Sequence, residues 1–360
     1  MSRSPCPRCD GMPDVPESAG RLFIWPPLGH TADKMRVLLA RDGIPLDDRQ
    51  DDGCLVIAVS AGGHEPLAGR IAGVLTAAEA RDSRVLFVPG DTEPTLALMG
   101  QVDRLETYLA REQGHWLVDL MQDQRVTTLF QPIFYVDEPN RVFAHECLLR
   151  GVDAQGALIA PPIMFDIARR ADLIFQLDKL ARTTAVANAA ARGIDTNIFI
   201  NFTPSAIYDP VNCLRTTLAA VDAAGLDRRQ VVFEVIETEN IGDPEHLASV
   251  LAFYRRAGFR VALDDLGGGY ASLGLLPSLR PDFVKLDRSL VDGVHTETIK
   301  AVVVERLVQM AHDLNIAVVA EGVELADDLA WLQAHAVDFV QGFLLARPAP
   351  GPWHPEHGAA

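Results

Sequence analysis

Val231-Val-Phe-Glu-Val-Ile-Glu237, Arg260-Val-Ala-Leu-Asp-Asp-Leu266 and Phe283-Val-Lys-Leu-Asp287 are three short apolar runs, each broken by charge. Each has the length and the β-branched and aromatic content of a buried strand. The segments between them, Pro244–Ala257 and Tyr270–Leu279, read as helices, the second weakly. Strand, helix and strand at this spacing make a parallel arrangement. The pattern extends both ways. Upstream lie the strand candidates Leu129–Val136, Val142–Gly151 and Ile198–Pro204, and downstream Ala317–Glu324 and Phe339–Leu344. Helical stretches at Phe175–Arg192, Asn212–Ala224, Thr298–Asn315 and Leu325–His335 separate most of them. Eight such strands in about 220 residues fit a (β/α)8 barrel of the TIM type. The link between the first two strands, about five residues, is too short for a helical crossover, so that pair is expected to be antiparallel.

The barrel is expected over residues 125–350, with a tail at 351–360. Ahead of it, the apolar runs Arg21–Trp25, Leu55–Ser60 and Val85–Pro89 alternate with helix-like segments, Thr31–Asp42 and Pro66–Ala80. This reads as a small α/β domain at 21–92, regulatory or dimer-forming by default. Residues 93–124 pattern as a helical connector, with Leu96, Met99, Val102 and Leu105 on one face. The first 20 residues, rich in Pro, Gly and Asp, read as a flexible segment. The whole is an α/β protein, a modified (β/α)8 barrel with an antiparallel first strand behind a small α/β domain.

The chain has 360 residues and a net charge of −17, from 32 basic and 49 acidic side chains. Such a balance gives no general attraction for nucleic-acid polymers or anionic membranes. Its longest apolar runs fall far short of the ~18–20 residues that span a bilayer. Met1-Ser-Arg-Ser-Pro-Cys6 lacks the apolar core of a signal peptide. Five scattered cysteines make no disulfide framework, and a cytoplasmic location is the simplest expectation. Cys6-Pro-Arg-Cys9 has the spacing of half a zinc site, without a second half, and reads as a loose tail with two thiols. His30 reads as a turn or capping residue.

What interrupts the barrel strands is informative. In order they carry Gln131, Glu146, Asn201, Glu234, the pair Asp264–Asp265, Lys285, Glu321 and Gln341. A carboxylate in a buried strand is costly unless it is paired or binds a metal. Barrel active sites form at the C-terminal strand ends, from several strands at once. Five carboxylates around one ring cannot be neutralised by one lysine, and divalent cations are the economical resolution. Hard oxygen donors suit Mg2+ or Mn2+, and adjacent aspartates could serve two ions. Two ions ~3.5–4 Å apart are the usual apparatus for in-line attack on a phosphodiester, with Lys285 placed to hold the attacking water.

The motifs themselves resemble the EAL-type cyclic di-GMP phosphodiesterases. His145-Glu-Cys-Leu-Leu-Arg150 resembles the family's E-A-L-L-R signature, and Phe130-Gln-Pro-Ile133 its Y-Q-P-I. Ile200-Asn-Phe-Thr203, Phe233-Glu-Val-Ile-Glu237 and Asp264-Asp-Leu-Gly-Gly-Gly-Tyr270 follow in the family's order. So do Lys285-Leu-Asp287, Ala320-Glu-Gly-Val-Glu324 and Gln341-Gly-Phe343. The resemblance runs from about residue 115 to 350. It implies a modified TIM barrel that hydrolyses cyclic di-GMP to linear pGpG with two Mg2+ or Mn2+ ions, in second-messenger signalling. It further implies Glu146, Asn201, Glu234 and Asp264 around one ion, and Asp264, Asp265 and Glu321 around the other. Lys285, Glu321 and Glu146 would be catalytic, and Gln131, Arg150 and Gln341 would contact substrate or its water. Glu237 would anchor the loop after strand five, and the barrel would form homodimers.

The sequence departs from the family at Cys147, where the signature has Ala, and at Leu266, Gly268 and Ala271, where it has Phe, Thr and Ser. That loop couples metal placement to dimerisation in the family, so activity is expected to be conditional. Two rivals follow: a cyclic di-GMP receptor with little turnover acting through a partner, and a different two-metal phosphoesterase on the same barrel.

Overall fold

The computed structural model describes residues 11, 16, 18–236, 244–267 and 272–354, with the side chains at 236 and 272–275 left aside. By contact the chain divides into two compact units. Of the described residues, one unit comprises Val126–Leu158 and those from Asp178 onward; the other comprises those from Gly11 to Arg125 together with Ile159–Leu177. Cys6, Cys9, Glu237 and the loop positions Gly268 and Ala271 lie outside the described residues.

The smaller unit is built on strands β1 (Gly20–Trp25), β2 (Leu46–Arg49), β3 (Cys54–Val59), β4 (Arg84–Pro89) and β5 (Asp103–Arg104). They form one sheet in the order β2-β3-β1-β4-β5, antiparallel throughout. Strand alternation sends Leu22, Ile24, Leu55 and Ile57 to a face covered by Met35, Leu38 and Leu39 of the helix Gly29–Arg41. Phe23, Val56, Leu86 and Val88 form a second apolar cluster with Trp25, Leu98 and Val102. Two apolar clusters explain why these strands read as unbroken hydrophobic runs. The edge strand Leu46-Asp-Asp-Arg49 is polar and carries no such signal.

Three local expectations are corrected. The single helix expected over Pro66–Ala80 is two, His64–Ala72 and Ala77–Asp82. Thr76 starts the second with a reciprocal capping box, its side chain accepting from the Glu79 N–H while Glu79 accepts from the Thr76 N–H. The stretch from Leu96 is a 3-10 segment ending at Gln101 and then strand β5, and α-helix begins only at Leu105. Leu96 is consequently 93% exposed rather than aligned on a buried face. His30 is the second residue of the helix Gly29–Arg41, 3.5 Å from Glu79, and caps nothing.

Glu112, on the helix Leu105–Gln113, is buried, and its Oε1 has no hydrogen-bond partner. Burial, reinforced by Glu65, pushes its pKa up to about 7. The folded chain therefore holds a proton here that the unfolded chain releases above its ordinary carboxylate pKa. The resulting stabilisation is complete below that ordinary value and is lost as pH rises through about 7. Glu112→Gln is expected to flatten this fall, seen as a smaller change in melting temperature between about pH 5 and about pH 8 than wild type shows.

The larger unit is a closed barrel of eight strands. These are β6 (Val126–Tyr135), β7 (Val142–Val152), β9 (Asn197–Phe202), β10 (Val231–Ile236), β11 (Arg260–Leu266), β12 (Phe283–Leu286), β13 (Ala317–Ala320) and β14 (Phe339–Val340). The two-residue strand β8 (Leu158–Ile159) lies beside β7. Strands β7 and β9–β14 are parallel to their neighbours, while β6 pairs antiparallel with both β7 and β14, as the short first link requires. β13 and β14 are shorter than their apolar patterns suggest. The chain leaves β13 at Glu321 and turns at Gly322, whose φ is +65°.

Ile133, Ala144, Phe199, Val232, Ala262, Phe283, Val319 and Phe339 pack together inside the barrel, one from each strand. This apolar layer is the floor of the site. A strand returns to the same face every two residues. The next inward position after each floor residue is therefore two further along, or two back on antiparallel β6. Those positions are Gln131, Glu146, Asn201, Glu234, Asp264, Lys285, Glu321 and Gln341.

Candidate active site at the barrel mouth

Above its apolar floor the barrel thus opens on a ring of polar side chains, one per strand. Lys285 lies at the centre. Its Nζ is 2.6 Å from Glu321, 2.9 Å from Glu234, 3.3 Å from Asp264 and 3.4 Å from Glu146. Glu146 accepts from Asn201 Nδ2 at 3.1 Å and from Gln341 Nε2 at 2.8 Å. Gln131 pairs across β6 and β7 with Glu146. A cleft of about 240 Å³ reaches Gln131, Glu146, Glu321 and Gln341 from outside.

Asp264 and Asp265 are consecutive, and an ideal strand would send them to opposite faces. A bulge prevents this. Leu263 pairs with Val284 and Leu266 with Leu286, so two residues of β11 stand opposite Lys285 alone. Asp265 takes a left-handed φ of +58°, and its N–H donates to Asp264 Oδ1 at 3.0 Å. Carboxylate oxygens of Asp264, Asp265 and Glu321 then come within 4.8 Å of one another. Asp and Asn tolerate this backbone region where Ala does not. Asp265→Ala is expected to be ~1–2 kcal/mol less stable than Asp265→Asn, compared by urea unfolding in chelator.

Two close contacts hold the rim. Gly342 has no room for a Cβ, which would lie 2.0 Å from the carbonyl oxygen of Val323. That approach lets the Val323 N–H donate to the Gln341 carbonyl at 3.0 Å and sets Gln341 in place. Behind β9, the buried pair Asp178–Arg182, at 2.8 Å, fixes the loop after Asn201, because Asp178 also accepts from the Thr203 N–H.

The electrostatics are unbalanced. Against one ammonium stand Glu146, Glu234, Asp264, Asp265 and Glu321. Burial, reinforced by Glu146 and Asp264, drives the pKa of Glu234 well up. Burial and neighbouring carboxylates raise Asp264, raise Asp265 to about 6 and raise Glu321 to about 8, although Lys285 opposes each shift. Burial also opposes the charge on Glu146, but Lys285 and the two carboxamide donors outweigh it and lower its pKa. Burial disfavours the charge on Lys285 too, yet Asp264 and the other three carboxylates it touches keep its pKa well above the ordinary value.

These residues fit divalent cations. Buried Glu234 Oε2, Asn201 Oδ1 and Gln341 Oε1 have no hydrogen-bond partner. A buried acceptor without a donor is costly, and a hard cation satisfies several such oxygens together. Glu146, Asn201, Glu234 and Asp264 could hold one ion, and Asp264, Asp265 and Glu321 a second. Cys147 does not join them. Burial, with Glu146 and Glu234 nearby, drives its pKa well up, so it remains a thiol.

Arg150 lies on the same face of β7 as Glu146, four residues on, and is half-buried. Its Nη1 donates to the Leu149 carbonyl at 2.7 Å, and burial depresses its pKa. The sequence reading gave no site role to Asp287, Arg288, Glu324 and Phe343, which line the cleft, Arg288 pairing with Glu324 at 2.9 Å. Each adjoins or ends a quoted motif, but nothing in the motif itself marks it as facing the cleft.

The EAL domain family matches residues 115–348. A cyclic di-GMP phosphodiesterase of Escherichia coli, PdeR, is 30% identical over 57% of this chain and 31% of its own length. A Caulobacter vibrioides signaling protein without assigned function is 27% identical, over 82% of this chain and 40% of that protein. The chain spans less than half the length of these curated relatives. Among solved structures, a standalone EAL protein from Vibrio cholerae with c-di-GMP bound is 32% identical. That match covers 65% of this chain and 98% of the other, at a TM-score of 0.58. The PaMucR phosphodiesterase in complex with c-di-GMP is 26% identical over 66% of this chain and 96% of the other, at 0.59. Among the described residues no helix is long and apolar enough to cross a membrane. A polar ring standing one step above an apolar barrel floor, matched over two-thirds of the sequence, makes this chain a member of the EAL domain family.

Proposed function

We propose that the protein hydrolyses cyclic di-GMP to linear pGpG with two divalent cations, Mg2+ or Mn2+, at the barrel mouth. The observation that carries this is the convergence of all five carboxylates with buried, unpartnered acceptor oxygens around one lysine. Relatives named as cyclic di-GMP phosphodiesterases, and a V. cholerae relative solved with c-di-GMP, support the choice of substrate.

Bound cations would supply Lewis acidity at the scissile phosphodiester and a lowered pKa for the attacking water. The chain's own residues do the rest. Lys285, held protonated by four carboxylates, offers a fixed N–H donor for that water. Glu146 is kept ionised by its three donors and stays an acceptor. Glu321, 2.6 Å from Lys285 Nζ, fixes the direction of that donor and would share the second cation with Asp264 and Asp265. Gln131, Arg150 and Gln341 orient the substrate, Arg150 with a guanidinium matched to a phosphate. The apolar floor closes the barrel beneath the reacting groups.

The test is incubation of the pure chain with cyclic di-GMP and either cation, with pGpG followed by chromatography. Cation-dependent pGpG is the expected result. Tight binding without product under both cations, across protein concentrations, would instead make the protein a receptor. Equal turnover of unrelated phosphodiesters would remove the assigned substrate.

A further inference from the structure

At the far end of the barrel, away from the acidic mouth, lies a second cavity. It has a volume of about 540 Å³ and is lined by Asn197, Arg229, Gln230, Arg255, Phe259 and Arg260. Asn197 and Arg260 are the first residues of β9 and β11, and Gln230 immediately precedes β10. Asn197 is four residues ahead of Asn201 on the same strand, ~13 Å at strand rise. The cavity is thus separated from the catalytic ring by the apolar floor.

Its charge is opposite to that of the chain. Three arginines line it and no carboxylate does, in a protein of net charge −17. Among the described residues none of the three makes an ion pair. The nearby acids are engaged with backbone instead: Asp282 accepts from the Val261 N–H at 2.8 Å, and Asp227 from the Arg229 N–H at 2.9 Å. Arg255 spends Nη1 on the carbonyls of Leu279 and Arg280. Arg260 lies over the Phe283 ring at 5.2 Å and donates from Nη2 to Asn197, while its buried Nε has no partner. Burial lowers the pKa of both Arg255 and Arg260. Asp282 favours the charge on both and Asp227 that on Arg260, but neither makes an ion pair with them, and a desolvated guanidinium lacking a contact partner is a cost that a bound oxyanion would relieve.

We propose that this pocket binds a phosphorylated small molecule through Arg229, Arg255 and Arg260. The ligand's phosphoryl oxygens accept from the three guanidinium groups, while the side-chain amides of Asn197 and Gln230 are held in the wall by the carbonyls of Phe143 and Asp195. The volume lies within the ~300–1,000 Å³ typical of small-ligand sites. Because the site is separate from the mouth, its occupancy does not depend on catalytic cations.

The test is calorimetric titration of the full chain with pyrophosphate in EDTA, against a sodium chloride blank of equal ionic strength. Chelation removes cation-mediated binding at the mouth, so the result does not depend on whether the chain hydrolyses cyclic di-GMP. One saturable site per chain is expected. Its affinity should fall about tenfold in Arg229→Ala and again in Arg255→Gln, and should be unchanged in Glu146→Gln. Arg229 is exposed, so its replacement leaves the fold intact, whereas Arg260 is wedged against the barrel floor and is a poorer test. The proposal is overturned by the absence of saturable binding, by binding that both arginine variants retain in full, or by binding lost in Glu146→Gln.

Discussion

Glu146→Gln is expected to lower cyclic di-GMP hydrolysis by about 10³-fold, the removal of roughly 4 kcal/mol of transition-state stabilisation. The substitution preserves shape and removes one charge. Glu146 is the one carboxylate in the ring that collects Lys285, Asn201 and Gln341 together. It is also the one held ionised in spite of burial. An amide offers a single acceptor where the carboxylate offers two, and it coordinates a dication poorly. The fold should survive, because Glu146 stands above the apolar layer rather than within it. Chromatography for pGpG, with circular dichroism to confirm folding, reads the outcome. Activity within tenfold of wild type would remove Glu146 from the catalytic set.

Lys285→Met should lose activity to a similar extent and should also deepen the charge imbalance of the mouth. Without the ammonium, four carboxylates that now touch it lose their only buried counter-charge. Removing one partner of a buried charge network typically costs ~3–5 kcal/mol. The pH dependence gives the effect a sign. Asp265 and Glu321 have folded pKa values raised to about 6 and about 8, above their ordinary values. Between the ordinary and raised values the folded state binds more protons than the unfolded state, so stability falls as pH rises. Metal-free wild type should therefore melt at a lower temperature at about pH 8 than at about pH 5. Lys285 opposes every one of these shifts, so its loss raises these pKa values further and steepens the fall. Mg2+ or Mn2+ should restore stability at high pH in wild type. Melting of Lys285→Met in chelator that is no more pH-dependent than wild type would contradict this reading of the ring.

Much of the site could be read from the sequence because a strand's two-residue period converts a single polar interruption into an inward side chain. Gln131, Glu146, Asn201, Glu234, Asp264, Lys285, Glu321 and Gln341 each follow an apolar partner two positions away, and every one faces the barrel interior. Asp265 broke that rule. Sequence alternation sends it outward, and only the bulge opposite Lys285 turns it to the mouth. A bulge is a matter of register between two strands, which neither strand encodes alone. The same holds for the smaller unit. β2 reads as polar loop because an edge strand needs apolar character on few positions. The segment from Leu96 has helical spacing but is drawn into a 3-10 turn and the β4–β5 pairing. The central place of Lys285 was also not legible, because contact with four carboxylates depends on barrel closure. Glu237 and the loop through Gly268 and Ala271 lie outside the described residues, so their assigned roles rest on the family resemblance.

The acidic ring is expected to hold a pair of dications that share Asp264. Counting bound Mn2+ per chain by electron paramagnetic resonance, in wild type and in Asp264→Asn, tests it most directly. Two ions are expected in wild type and at most one in the variant. A wild-type chain that retains no Mn2+, or a variant that retains as many ions as wild type, would contradict it.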